Sequence, residues 1–110
     1  MKLSLVITVY NEEDNIAPMI EQVAKALDGW DYELIFVDDG SSDRTRSNIE
    51  QHANEHVKMV VLNKNYGQTT AMAAGIDHAT GEYIVTLDGD LQNDPADIPA
   101  MVKKLEAEDM

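Results

Sequence analysis

The sequence predicts an α/β fold: an open, mainly parallel sheet with helices on both of its faces. Four apolar, β-branched runs alternate with four stretches of helical character, in the order β-α-β-α-β-α-β-α. The connections are short, so successive strands are expected to run parallel through right-handed crossovers. Each predicted strand also ends in a cluster of polar residues. In an open parallel sheet those ends share one edge, and ligands bind there.

The first strand, over 3–9, is apolar and β-branched as a buried strand should be. It leads into Tyr10-Asn11-Glu12-Glu13-Asp14, a polar loop rich in the acids that start helices. Ile16, Met19, Ile20, Val23 and Leu27 then recur on one stripe, which predicts a helix over 16–27. Pro18 fits only its first turn, and Asp28-Gly29 closes it.

The second strand, over 32–37, runs into Asp38-Asp39-Gly40-Ser41-Ser42-Asp43. Gly40 permits a tight turn with positive φ, and Ser42 or Asp43 can cap the next helix, over 44–54. The apolar face of that helix is weak, Ile49 and Ala53, so it is expected on the outside. The third strand, over 57–62, ends in Asn63-Lys64-Asn65-Tyr66-Gly67. The helix over 68–79 is dense in small residues, among them Ala71, Ala74 and Gly75, which let a helix approach a sheet closely. The fourth strand, over 82–87, drives into Asp88-Gly89-Asp90. Asp94-Pro95 begins a turn, and Pro99 sets the expected last helix at 99–106.

At 110 residues the chain is one domain at most, and 44% apolar content supports a true core. It has no cysteine, hence no disulfide and no thiolate metal site, which fits a reducing cytoplasm. No apolar run approaches the roughly 20 residues of a membrane span, and no signal peptide is visible. A net charge of −13 repels nucleic acid and anionic lipid. An anionic ligand would need a cation or a set of N–H donors to offset that field.

Asp88 and Asp90 lie on the same side of an extended chain, because side chains alternate with period two. Two such carboxylates repel unless something positive sits between them, and a divalent cation with hard oxygen ligands, Mg²⁺ or Mn²⁺, would serve. Carboxylate pairs end two of the four strands, Asp38-Asp39 and Asp88-Gly89-Asp90, and Lys64 is the one cation among the four clusters. No Gly-x-Gly-x-x-Gly and no P-loop is present. His52, His56 and His78 read as surface residues away from those loops, and the Met residues as core or helix filler.

Thr8-Val9-Tyr10-Asn11-Glu12-Glu13, Asp38-Asp39-Gly40-Ser41-Ser42-Asp43 and Asp88-Gly89-Asp90, in this order and spacing, resemble glycosyltransferase family 2 of the GT-A fold, whose nucleotide-binding half is Rossmann-like. The resemblance covers the whole chain. Asn63-Lys64-Asn65-Tyr66-Gly67-Gln68 and the run from Leu87 to Pro95 look most like the polyprenyl-phosphate sugar transferases, both dolichyl and undecaprenyl. It implies that Thr8, Tyr10 and Glu12 line a nucleotide pocket, that Asp39 hydrogen-bonds the base, and that Lys64 and Asp88 belong to the nucleotide-sugar site. Asp90, with Gln92, would hold Mg²⁺ or Mn²⁺. Thr8 stands where many members have Pro, and Gly89 where Ala is common.

Family members run well beyond 110 residues, so residues 1–110 are expected to be the N-terminal nucleotide-sugar-binding part, with the region of the catalytic base outside it. The fourth strand is expected to lack a neighbour, which favours a homodimer. The expected activity is an inverting transfer from a UDP-sugar, with GDP-mannose as the alternative donor, to a polyprenyl phosphate. The expected setting is cytoplasmic, with the full-length protein at the cytoplasmic face of a membrane. Two alternatives stay open: a polysaccharide or sugar acceptor, and a non-catalytic nucleotide-binding fragment. A phospho-receiver domain would need an acceptor Asp at the end of the third strand, where Asn63 stands.

Overall fold

All eight predicted elements form, in the predicted order. The computed structural model describes residues 2–88 and 97–108: β1 (Lys2–Val9), α1 (Ile16–Ala26), β2 (Asp31–Asp38), α2 (Thr45–His52), β3 (Val57–Val61), α3 (Gln68–His78), β4 (Tyr83–Asp88) and α4 (Ile98–Glu108). The last helix therefore starts one residue before Pro99 and runs past the expected end. The strands form one sheet in the order β3-β2-β1-β4, with every pair parallel.

Strand order and crossover hand together decide where the helices go. From β1 the chain steps outward to β2 and then β3, so right-handed crossovers put α1 and α2 on the same face. From β3 it returns across the sheet to β4, so α3 covers the opposite face. The core divides accordingly. Leu3, Leu5, Ile7 and Val9 of β1 pack with Phe36, with Met19 and Val23 of α1, with Ile49 of α2 and with Ile98 and Val102 of α4. Val6, Ile35 and Val37 point the other way, against Ala71 of α3. Alternate residues of the same strands feed the two cores, as the pleat requires.

The small residues of α3 do what their size allows. A Cβ on Gly75 would collide with Val6 and lie 2.7 Å from Val37 Cγ2. The helix thus rests on the sheet at glycine distance. At the other end of that face, Ser4 and Glu33 are register partners across β1 and β2. The buried Glu33 carboxylate accepts from Ser4 Oγ, from Lys58 Nζ at 2.6 Å and from the Thr80 N–H at 2.6 Å. That network fastens the end of α3 to the bottom of the sheet.

Two expectations need correction. The α2 helix is not merely peripheral: Ile49 is 1% exposed and joins the main core, and Thr45 is fully buried. One well-placed apolar residue anchors a helix whose overall periodicity is weak. His56 is not a free surface residue either. Its ring stacks on Tyr32 at 4.1 Å, and Nδ1 lies 3.0 Å from the Tyr32 carbonyl. Among the described residues, no helix is long and apolar enough to cross a membrane.

Candidate nucleotide site

The chain reverses its direction of travel between β1 and β4. From β1 it steps outward to β2 and β3, and it then returns across the sheet to β4, so the carboxyl ends of β1 and β4 flank the switch point at which an open α/β sheet binds ligands. Thr8 and Asp88 face each other there in register, at the carboxyl ends of β1 and β4. Thr8 is 8% exposed. For Asp88 the backbone alone is described. Asp90 and Gln92 lie outside the described residues.

After β1 the loop turns at Asn11, whose φ of 53° is in the left-handed region that asparagine tolerates better than most residues. Asn11 is stitched to the loop after β2. Its N–H donates to Ser41 Oγ at 2.9 Å, and its Oδ1 accepts the Ser42 N–H at 2.8 Å. The Glu12 N–H donates to Thr45 Oγ1 at 2.9 Å, and Asn48 Nδ2 donates to the Glu13 carbonyl at 2.8 Å. Asp43 accepts the Thr45 N–H at 2.9 Å, but the cap of α2 is Arg44, not the expected Ser42 or Asp43, and its side chain makes no capping hydrogen bond. Burial would raise the Asp43 carboxyl, but the hydrogen bonds from Thr45 and from the Glu13 N–H outweigh it and hold the group below its ordinary value. Two loops with no sequence proximity thus form one rigid shelf. Tyr10 stays exposed on it, and the Glu12 carboxylate accepts from Asn15 Nδ2 at 2.7 Å.

The carboxylate pair at the end of β2 is engaged from within the protein, although the buried Asp38 Oδ2 has an ion-pair partner and, among the described residues, no hydrogen bond. Asp38 is fully buried, with Arg46 Nε 3.1 Å from Oδ2 and the Ser41 N–H 3.3 Å from Oδ1. Asp39 is nearly as buried, and its N–H donates to the Val9 carbonyl at 2.9 Å. Asp39 Oδ1 accepts the Tyr66 N–H at 2.8 Å, and Oδ2 accepts the Gly67 N–H at 3.0 Å. Gly40 follows with φ 80°, and a Cβ there would lie 2.5 Å from the Asn65 nitrogen. Only glycine lets the loop after β3 sit that close. On that loop Lys64 Nζ stands 5.1 Å from the centroid of the Tyr66 ring, and Tyr66 OH donates to Asn63 Oδ1 at 2.7 Å.

Of the residues predicted for the site, Thr8 and Asp88 are thus register partners. Asp39 is joined both to the strand end before Tyr10 and to the loop carrying Lys64. The Glu12 carboxylate is engaged locally by Asn15. Among the described residues no group of three or more His, Cys, Asp or Glu could hold a metal. The cation that the first carboxylate pair requires is Arg46. Sequence reading missed Arg46 and Thr45, and it placed Asn11, Ser41 and Tyr66 in the polar clusters without giving them a role of their own. The available signals were the Asn in a polar turn and the run of hydroxyl residues after Gly40, each a loop-forming chemistry.

The model of the family "Glycosyl transferase family 2" matches residues 4–110. A dodecaprenyl-phosphate galacturonate synthase of Rhizobium johnstonii is 47% identical over 100% of this chain and 34% of its own length. An undecaprenyl-phosphate 4-deoxy-4-formamido-L-arabinose transferase of an Enterobacter species is 48% identical over 94% of this chain and 33% of its own. The chain thus spans about a third of the length of the curated relatives it matches. Among solved structures, the mannosyltransferase PcManGT of Pyrobaculum calidifontis, in complex with GDP-Man and Mn²⁺, superposes with a TM-score of 0.79 and 26% identity. That match covers 93% of this chain and 31% of the other. The sheet and helices described above are those of the GT-A fold.

Proposed function

The chain belongs to glycosyl transferase family 2, and on that premise we propose that residues 1–110 are the N-terminal, nucleotide-sugar-binding part of a polyprenyl-phosphate sugar transferase. The reaction is an inverting transfer from a nucleotide diphosphate sugar to a polyprenyl phosphate. The observation that carries the reading is the register pairing of Thr8 and Asp88 at the carboxyl ends of β1 and β4, with Asp39 holding the neighbouring loop. Both relatives' names pair a polyprenyl phosphate with a sugar, and the sugar differs between them. That supports the acceptor class and leaves the sugar open.

In this reading Thr8, Tyr10 and Glu12 line the nucleotide pocket, and Asp39 hydrogen-bonds the base. Each Asp39 oxygen accepts one N–H and keeps a second lone pair for that purpose. Lys64 offsets the negative donor in a chain of net charge −13. Asp88 lies near the ribose and diphosphate. Asp90 and Gln92 hold Mg²⁺ or Mn²⁺, the metal of the mannosyltransferase neighbour being Mn²⁺. The donor chemistry fits, since carboxylate and amide oxygens suit hard cations. Asp38 and Asp39 are already engaged by Arg46 and by backbone N–H groups, which leaves the Asp88 stretch to do this. When bound, the ion offsets the charge that develops on the leaving diphosphate. A phosphate acceptor is ionised at neutral pH, so the attack on the sugar needs no strong base.

The motifs favour uracil as the base, and the neighbour's GDP-Man makes guanine the second candidate. We place the full-length protein at the cytoplasmic face of a membrane, and a lipid acceptor supports the membrane setting. A second reading, favoured by coverage of only a third of each relative, keeps the binding and leaves turnover to a longer protein. Calorimetric titration of the folded chain with UDP and with GDP, each with and without Mn²⁺, tests the proposal. The expected result is binding that needs Mn²⁺ and prefers UDP. A folded chain that binds neither nucleotide would overturn it.

A further inference from the structure

A second concavity lies at the opposite edge of the sheet, where the strands begin. The end of α1, the start of β2 and the loop before β3 enclose a cavity of about 260 Å³. Gly29 turns the chain out of α1 with φ 83°, and a Cβ built on it would meet nothing within 4 Å, so that side of the cavity is open. Leu27 and the half-buried Trp30 give it an apolar wall. His56 adds a flat aromatic surface, held in place by its stack on the buried Tyr32 ring. The Tyr32 carbonyl can only accept, so the ring nitrogen facing it, Nδ1, carries a hydrogen. In the neutral imidazole Nε2 is then an acceptor, and it lies 3.6 Å from the Glu55 carboxylate. Two acceptors face one another there with no donor between them.

The charge around the cavity has one sign. Asp28 and Glu55 are exposed at its rim, and the carboxyl end of α1 adds its partial negative charge. Among the described residues no lysine or arginine lines it, and Lys25, in the last turn of α1, stays outside the lining. An anion is repelled from such a site, and an apolar ligand would leave the acceptors unpaired. We propose that the cavity binds a guanidinium group, the arginine side chain of a partner polypeptide. A guanidinium is planar, stacks on aromatic faces and is more weakly hydrated than an ammonium, so it suits Trp30 and His56. Its fork of N–H donors supplies the hydrogens that Nε2 and the Glu55 carboxylate lack between them. The site lies at the amino ends of the strands and stands independently of the nucleotide reading.

The test follows amide and indole resonances of the folded chain during titration with acetyl-arginine-amide. Parallel titrations use the lysine analogue and the citrulline analogue, the neutral isostere of arginine. Arginine should give saturable shifts at the Trp30 indole N–H and at the Gly29, Glu55 and His56 amides, with a Kd on the order of millimolar. The lysine analogue should bind about three-fold more weakly, and citrulline should not saturate. Asp28→Asn combined with Glu55→Gln should weaken arginine roughly ten-fold, the scale of two exposed ion pairs, at the melting temperature of wild type. In wild type the arginine methylene protons should show nuclear Overhauser contacts to the Trp30 ring, a readout that needs no variant. Shifts spread evenly over the acidic surface would overturn the proposal, as would absence of those contacts. Wild-type affinity in the double variant would do the same, and so would lysine or citrulline binding as well as arginine.

Discussion

Asp39 and Tyr66, 27 residues apart, are joined by a hydrogen bond of 2.8 Å from the tyrosine N–H to the aspartate Oδ1. With the adjoining Gly67 N–H on Oδ2, the carboxylate clamps the loop after β3 against the turn after β2. Asp39→Asn replaces one acceptor oxygen with an NH₂ group that faces a donor. One part-buried N–H then goes unpaired, at a cost of about 1 kcal/mol. Urea unfolding should show a lower midpoint with an unchanged m value. A midpoint equal to wild type would mean that the loop is held by something else.

Glu33 makes stability depend on acid. Burial raises its carboxyl, but hydrogen bonds from Lys58, Ser4 and Thr80 outweigh that and hold it at about 2, against 4.5 ordinarily. A depressed value means that the unfolded chain takes up the proton first. The contribution is therefore complete above about pH 4.5 and is lost as pH falls toward 2. At full strength it is at most about 3 kcal/mol, since each pKa unit is worth about 1.4 kcal/mol. The difference in unfolding free energy between wild type and Glu33→Gln should shrink between pH 5 and pH 2.5, a window set by those two values. A difference that does not change with pH would contradict the assignment.

Gly75 sits in mid-helix, where alanine would ordinarily stabilise by about 1 kcal/mol. Here the added methyl group meets Val6 and Val37. Overpacking costs about 1 to 3 kcal/mol, so the packing term should win or at least cancel the gain. Gly75→Ala should melt no higher than wild type. A variant that melts several degrees higher would show that α3 can move outward freely.

Asp90→Ala should abolish the Mn²⁺ dependence of UDP binding while leaving the melting temperature of the apo protein unchanged. Calorimetry with and without Mn²⁺ reads the first and a thermal scan the second. Undiminished Mn²⁺-dependent binding would remove Asp90 from the metal site.

β4 pairs with β1 on one side and, among the described residues, with no strand on the other. Ile84 on that strand is 43% exposed. The chain should therefore self-associate at high concentration, and Ile84→Lys should weaken the association. Light scattering that finds a clean monomer in wild type at high concentration would refute this.

Much of the architecture was written in local patterns. Four β-branched runs, each followed by a helical stripe, determined strands, helices and their order. Short connections determined that the sheet is parallel, and the small residues of α3 determined its close approach. The polar clusters at the strand ends were legible as one edge because a parallel sheet leaves no other arrangement. Tertiary structure alone decided the rest. The apolar period of α2 is weak, and only its position under right-handed crossovers sends Ile49 into the core. The carboxylate of Asp38 is met by Arg46, and that of Asp39 by backbone N–H groups near residue 66. A backbone donor has no signature in sequence, because every residue but proline carries one. Sequence names the groups that can do chemistry, while the fold decides which are already engaged with one another and which remain open to a ligand.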